Sequence, residues 1–182
     1  MAFVLQGNTP VVGANAYIDA AYFTTYHTDR GIVVSLYSTA DIQFAIVRAT
    51  SYVDVRFTYV GQRITPTQER EWPRQFAVDN NGYFVTGLPT ALKSATAEYA
   101  LRALVGFLMP DPLLGDTSGF QIRSKEEAVG PIISKIEYER NADYVLPDYP
   151  VADRLLVARG LVSNGAIGGS RNGLQVGNLG RS

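Results

Sequence analysis

Apolar and polar positions alternate along this chain with two different periods, and the change of period marks its layout. From Thr39 to Phe57, Ile42, Ile46, Ala49, Val53 and Phe57 recur at spacings of four and three, one stripe of a helix with 3.6 residues per turn. Ser38 or Thr39 caps this helix, and Gly61 marks its end at the latest. An earlier helix runs from a cap at Asp19 to about Arg30, with Tyr22, Phe23 and Tyr26 on one face and Gly31 at the C′ position. Leu88-Pro89 opens a third long helix to about Leu108. Leu92, Ala95, Tyr99, Arg102 or Ala103, and Phe107 trace one of its faces, while Leu101, Leu104, Val105 and Leu108 widen it. Its second half is apolar nearly all round, which predicts burial on several sides.

Between the second and third long helices, Thr65-Pro66-Thr67-Gln68 has the form of a capping box with proline at N1. It predicts a short helix, stopped by Trp72-Pro73. Asp79-Asn80-Asn81-Gly82 is a turn. From Phe120 the period falls toward two. Phe120–Arg123 and Ile132–Glu139 read as strands around Gly130-Pro131, a hairpin. A last helix follows Asp148-Tyr149-Pro150, uses Val151, Leu155, Leu156 and Val157, and ends near Gly160. The expected class is mainly α (α+β): a bundle of three to four main helices with a β-hairpin arm and extended N- and C-terminal arms.

Three segments follow. Residues 1–16, punctuated by Gly7, Pro10 and Gly13, read as an extended N-terminal arm. Residues 17–162 form a helical domain with the hairpin around 120–139. Residues 163–182 hold six glycines and no periodic apolar face. This tail cannot bury enough surface to offset the entropy of ordering itself, so alone in water it is a flexible string. It suits docking onto a partner instead. Backbone added to a sheet edge would bind it, with Ile167, Leu174, Val176 and Leu179 as pegs and Arg171 and Arg181 as its charges.

Composition narrows the function. At 182 residues, 46% hydrophobic and 18% charged, the chain can build one packed core. A net charge of −1 lacks the basic excess of a protein that coats phosphate backbones. There are no cysteines, so disulfides and thiolate metal sites are excluded. The N-terminus lacks a signal-peptide pattern, and no run approaches the ~20 apolar residues of a membrane span.

Catalytic patterns are missing. His27 is the only histidine and sits near a helix C-terminus, where a hydrogen-bonding or cationic side chain is locally favourable. Glu126 and Glu127 are adjacent and would point apart, a poor acid–base pair. Glu69 and Glu71 flank Arg70 as a solvated face. The tail glycines open no helix after a strand, so they make no dinucleotide loop. No catalytic, metal or cofactor site is expected.

One constellation invites a binding reading. Arg48, Tyr52, Arg56, Tyr59 and Arg63 are spaced by four, four, three and four residues. On one helix they would share about 80° of arc at ~100° per residue. Guanidinium alternating with phenol can grip phosphates and stack bases. The same pairing also covers protein–protein contacts, where arginine snorkels over tyrosine.

Several of these residues carry a family resemblance. Arg48-Ala49-Thr50-Ser51-Tyr52-Val53-Asp54-Val55-Arg56-Phe57 leads through Gly61, Arg63 and Thr67-Gln68 to Trp72-Pro73-Arg74. Leu88-Pro89-x-Ala91-Leu92-Lys93-x-Ala95, Glu98 and Ala100–Leu104 follow, then Val129-Gly130-Pro131-Ile132, and Tyr149-Pro150 before Asp153-x-Leu155-Leu156. Together, over roughly residues 14–160, they resemble tailed-phage proteins labelled DnaT-like single-stranded-DNA binders. That group is in turn similar to the head-to-tail connector (adaptor, head-completion) proteins. The resemblance implies a non-enzymatic subunit of a dodecameric ring, made in the host cytoplasm and placed at the head–tail junction of the virion. Its partners would be further copies of itself, the portal protein and a tail or nozzle protein. DNA would pass through the ring during packaging and ejection without sequence-specific binding. The alternative the resemblance carries is single-stranded-DNA binding, with the Arg/Tyr stripe as its site.

Overall fold

Helix capping fixes where the first two helices begin. A computed structural model describes residues 2–109, 122–127, 134–138 and 149–163. Helix α1 spans Ala20–Thr28, and the Asp19 carboxylate accepts the Tyr22 N–H at 2.7 Å. Ser38 does the same at the start of α2, Thr39–Arg56, taking the Asp41 N–H at 3.2 Å. Each cap satisfies an N–H that the first helical turn leaves unpaired. Gly31, at φ +72°, lets the chain leave α1 while the Ile32 N–H returns to the His27 carbonyl at 3.0 Å. Both starting points agree with the sequence reading.

Helix α3, Thr90–Val105, packs against α2 and against α4, Pro150–Val157. Alanine makes this double contact practicable. Ala95, Ala97, Ala100 and Ala103 are buried and let neighbouring backbones come close, and alanine costs least in a helix. The predicted stripe on α2 is the core side of that helix: Ile42, Ile46, Ala49, Val53 and Phe57 are all buried. The second half of α3 departs from expectation. The helix stops at Val105 rather than Leu108, Leu101 and Leu104 are only half-buried, and Val105 and Phe107 are exposed.

The predicted short helix after Thr65 is absent. Gln68 behaves as a capping-box glutamine in reaching back, accepting the Ile64 N–H at 2.9 Å and the Thr65 N–H at 3.3 Å. Its amide also donates to the carbonyls of Arg70 and Pro73, at 2.7 and 3.1 Å. One buried amide thus pins a loop from four directions, and the Trp72–Pro73 peptide within it is cis. The loop joins two short antiparallel strands, β1 (Gln62–Arg63) and β2 (Arg74–Gln75), in the register Gln62↔Gln75 and Arg63↔Arg74. Residues 58–60 pair on the other side with 161–163, through Val60 N–H to Leu161 O and Ser163 N–H to Thr58 O.

The first sixteen residues are not a free arm. Asn15 accepts the Val4 N–H and donates to the Ala2 carbonyl, at 2.9 and 2.7 Å. The Gln6 N–H donates to the Ala16 carbonyl at 2.8 Å, and Ala14 and Ala16 are buried. The Asn15 side chain, and the Gln6 amide that donates to the Gly7 and Thr9 carbonyls, close this segment on itself, and Asn8 ties it to the domain by accepting the Leu88 N–H at 3.1 Å.

The remaining described strands, β3 (Ile122–Glu127) and β4 (Ser134–Tyr138), form an antiparallel hairpin with Lys125 opposite Ile136 and Glu127 opposite Ser134. They belong to a second compact unit (residues 111–146 and 167–182), distinct from the helical unit (residues 1–110 and 147–166). The fold is mainly α with small β elements, as the two periods predicted. The Gly130-Pro131 turn lies outside the described residues.

Candidate functional site

The Arg/Tyr series does not form one surface stripe. Helix α2 ends at Arg56, so Tyr59 and Arg63 lie beyond it, in the segment leading into β1 and in β1 itself. Arg48 and Arg63 are exposed, whereas Tyr52, Arg56 and Tyr59 are buried. Arg63 makes one long contact, 3.4 Å to the Gln68 carbonyl. The Tyr59 hydroxyl donates to the Val53 carbonyl at 3.0 Å and its ring meets Trp72 edge-on. The helical geometry gives the reason for Arg56: it stands only about 20° round from Ala49 at ~100° per residue, on the margin of the core stripe.

Arg56 anchors a buried polar cluster that joins three helices. Its Nε and Nη2 donate to the two carboxylate oxygens of Asp153 on α4, at 3.1 and 2.7 Å. Nη1 donates to the Tyr52 hydroxyl at 2.8 Å. The Tyr99 hydroxyl of α3 donates to the same Asp153 carboxylate. The rings of Tyr52, Tyr99 and Tyr149 meet edge to face, with centroids 5.2 to 6.0 Å apart. Burial alone would lower the Arg56 pKa, but the hydrogen bonds and charge of Asp153 raise it, so the guanidinium stays charged. Burial and then Asp153 push the Tyr99 phenol up. With both Asp153 oxygens engaged, the pair acts as a clamp between α2 and α4.

A second cluster ties the start of the chain to the Trp72 loop. The Tyr17 N–H donates to Thr50 of α2 at 3.2 Å, and its hydroxyl donates to Asp54 at 2.5 Å and accepts the Trp72 N–H at 3.0 Å. Burial pushes the Asp54 carboxyl up to about 6, against the pull of the Tyr17 hydrogen bond and of Arg70 at 3.4 Å. Arg74 completes the frame: its guanidinium donates to the carbonyls of Val60 and Gly61, each at 2.8 Å, and to Glu71 at 2.6 Å.

The remaining sequence candidates have structural settings. His27 is fully buried, its Nε2 lies 3.1 Å from the Ala97 carbonyl, and Phe23 and Tyr26 pack on its ring. Burial lowers its pKa. Glu98 is buried between the Tyr26 hydroxyl at 3.2 Å and Arg102 at 2.5 Å. Glu69 accepts the Gly13 N–H at 3.0 Å, and Glu71 pairs with Arg74. Glu126 and Glu127 are successive residues of β3. Ile167, Arg171, Leu174, Val176, Leu179 and Arg181 lie outside the described residues. Among the described residues no three His, Asp or Glu side chains stand close enough together to hold a metal, and no helix is long and apolar enough to cross a membrane.

Sequence reasoning missed Asp153, Asp54 and Arg74 as framework groups. The signal was present for the first. Asp153 sits between Ala152 and Leu156 on the buried side of α4, and a carboxylate there needs a cationic partner.

The fold is a small α+β domain in which Arg56, Asp153, Asp54 and Arg74 serve the protein's own framework. The chain belongs to the family described as "Putative DnaT-like ssDNA binding protein", whose model matches residues 1–179. That description is one of DNA binding and names no enzymatic activity. No curated protein and no solved structure matches the chain significantly.

Proposed function

We propose that the protein is a non-enzymatic assembly subunit of the head-to-tail connector kind that its sequence resembles. In this reading it forms a ring with further copies of itself in a phage virion, between the portal protein and a tail protein. DNA slides through the ring. The observation that supports it is the surface of the helical unit. Val12, Leu36, Val55, Val105 and Phe107 are each more than three-quarters exposed. The four aliphatic ones offer a nucleic acid neither stacking nor charge. Leaving them in water forgoes about 0.8 kcal/mol per CH₂ that a protein neighbour would recover. A net charge of −1 also suits a bore that must not hold DNA. The test is sedimentation of the full chain alone and with portal and tail proteins. Ring-sized species, or a stable complex with either partner, are expected. A chain that stays monomeric in all three mixtures overturns the reading.

Single-stranded-DNA binding is the second reading, favoured by the family's description. The Arg/Tyr series gives it only Arg48 and Arg63 as exposed cations. It requires an affinity for oligonucleotides that falls steeply with salt. No binding at low salt removes it.

A further inference from the structure

The turn predicted at Asp79–Gly82 closes a small hairpin of unusual surface chemistry. The Val85 N–H donates to the Ala77 carbonyl and the Asp79 N–H to the Tyr83 carbonyl, each at 2.9 Å, and Val78 stands opposite Phe84. Ala77 and Val85 turn inward, so Val78 and Phe84 face outward. Phe84 is 73% exposed, Tyr83 beside it 72%, and Phe76 just before the hairpin 69%. Phe76 also has φ +58°, a conformation a bulky residue rarely takes. The cause lies opposite. Gly61 comes so close that a Cβ there would stand 2.5 Å from the Gln75 carbonyl and 2.6 Å from the Ala77 nitrogen. The chain is pinched at this point, which sends Ala77 into the core and Phe76 into solvent.

Two exposed arginines lie on the chain segments that adjoin this hairpin. Arg63 lies in β1, which pairs with β2 immediately before Phe76. Arg159 lies at the turn end, where its carbonyl accepts the Asn80 N–H at 3.3 Å and Asn80 donates to Ala158 at 3.1 Å. The Asp79 carboxylate, in the turn itself, accepts the N–H groups of Asn81 and Tyr83, at 2.8 and 3.0 Å. Rings left in water, with exposed arginines on the adjoining segments, match an unpaired strand, whose bases present flat faces and whose phosphates are anionic. We propose that this hairpin, with Phe76, Tyr83, Phe84, Arg63 and Arg159, is a binding site for single-stranded nucleic acid. The inference rests on the single-stranded-DNA reading and replaces the Arg/Tyr series as its site.

The experiment measures anisotropy of fluorescein-labelled oligothymidylate with the full chain at low and raised salt. Phe76→Ala and Phe84→Ala should each weaken binding about tenfold, the scale of one lost stacking contact. Phe84→Trp should retain affinity, and its fluorescence should fall on adding the oligonucleotide, because the native Trp72 is fully buried and contributes no such change. Phe76→Gly separates binding from folding: it relieves the left-handed backbone, so it should melt no lower than wild type yet bind more weakly. Wild-type binding with unaltered affinity in the alanine variants overturns this site and leaves the single-stranded-DNA reading standing. No wild-type binding at low salt removes both. A change of sedimentation in the alanine variants with unchanged DNA affinity assigns the hairpin to a protein contact and overturns the inference.

Discussion

A carboxylate withdrawn from water resists ionising, and Asp54 is in that position. Its pKa rises from 3.8 to about 6 because burial outweighs the Tyr17 hydroxyl and Arg70. The folded state therefore takes up a proton before the unfolded state does. The stability this contributes is fully present below about 4 and is lost as pH rises through about 6, a swing of roughly 2 to 3 kcal/mol at 1.36 kcal/mol per unit. Asp54→Asn removes the swing. Urea midpoints measured from pH 4 to 8 should show the variant losing ground to wild type toward the acid end, and a constant difference would refute this assignment. His27 acts in the opposite sense. Burial depresses its pKa below 6.5, so stability from its neutral ring is present above 6.5 and lost as pH falls toward the folded value. Arg56 and Asp153 obey a different rule, since each neutralises the other inside the protein. Arg56→Ala strands a buried carboxylate and should cost about 3 to 5 kcal/mol in denaturant unfolding. Arg56→Met with Asp153→Leu removes both charges and should cost clearly less than either charge deletion alone. If the single and double variants are equally unstable, the charge pairing is not what holds α4.

The elements were legible wherever one period ran long enough to define a face. Helices α1, α2 and α4 begin at the residues their caps or proline nominate, and the core side of α2 is the stripe read from its spacing. What escaped was set by contacts between distant segments. Gln68 carries a helix-start signal but satisfies backbone groups of a loop, because Trp72 and Arg74 hold that loop against Tyr17 and residues 60–61. The apolar second half of α3 read as buried because periodicity counts apolar positions without knowing where the packing helices stop. The binding stripe failed for a related reason: helical spacing was extended past Arg56, where the helix ends, and Arg56 lies at the edge of the core stripe. Gly61 shows how narrow the tolerance is where β1 meets β2. With φ +73° and a prospective Cβ 2.5 Å from a backbone oxygen, Gly61→Ala must both strain its own backbone and displace Gln75 and Ala77. A loss of more than about 2 kcal/mol is expected, since the left-handed conformation alone costs about 1–2 kcal/mol for a residue with a Cβ. Thermal melts beside Gly31→Ala give the control, because a Cβ at Gly31, also at positive φ, meets nothing within 4 Å. Equal losses in the two variants would show that the close approach at Gly61 carries no weight.

At the scale of the whole molecule, several arginines are spent on internal ion pairs, while large apolar side chains are left outside. Arg56, Arg74 and Arg102 pair with Asp153, Glu71 and Glu98, which lowers the cationic surface that a protein of net charge −1 can offer. The outward apolar groups include Val105 and Phe107, which with Ile32 and Leu101 line one shallow groove of the helical unit. If that groove is a contact between subunits, a charge placed in it must be desolvated when the assembly forms, a cost that falls on association and not on folding. Val105→Asp and Phe107→Asp both sit at exposed positions, so their melting temperatures should stay within a few degrees of wild type. Their sedimentation should shift toward the monomer at concentrations where wild type associates, and the double variant should shift further than either alone. The Glu98–Arg102 pair borders the same groove, so Arg102→Gln distinguishes an apolar contact from an ionic one. It should leave association nearly independent of salt if the valine and phenylalanine dominate. Charged variants that melt normally and assemble like wild type would remove this groove from the list of contacts and leave Val12, Leu36 and Val55 to account for assembly.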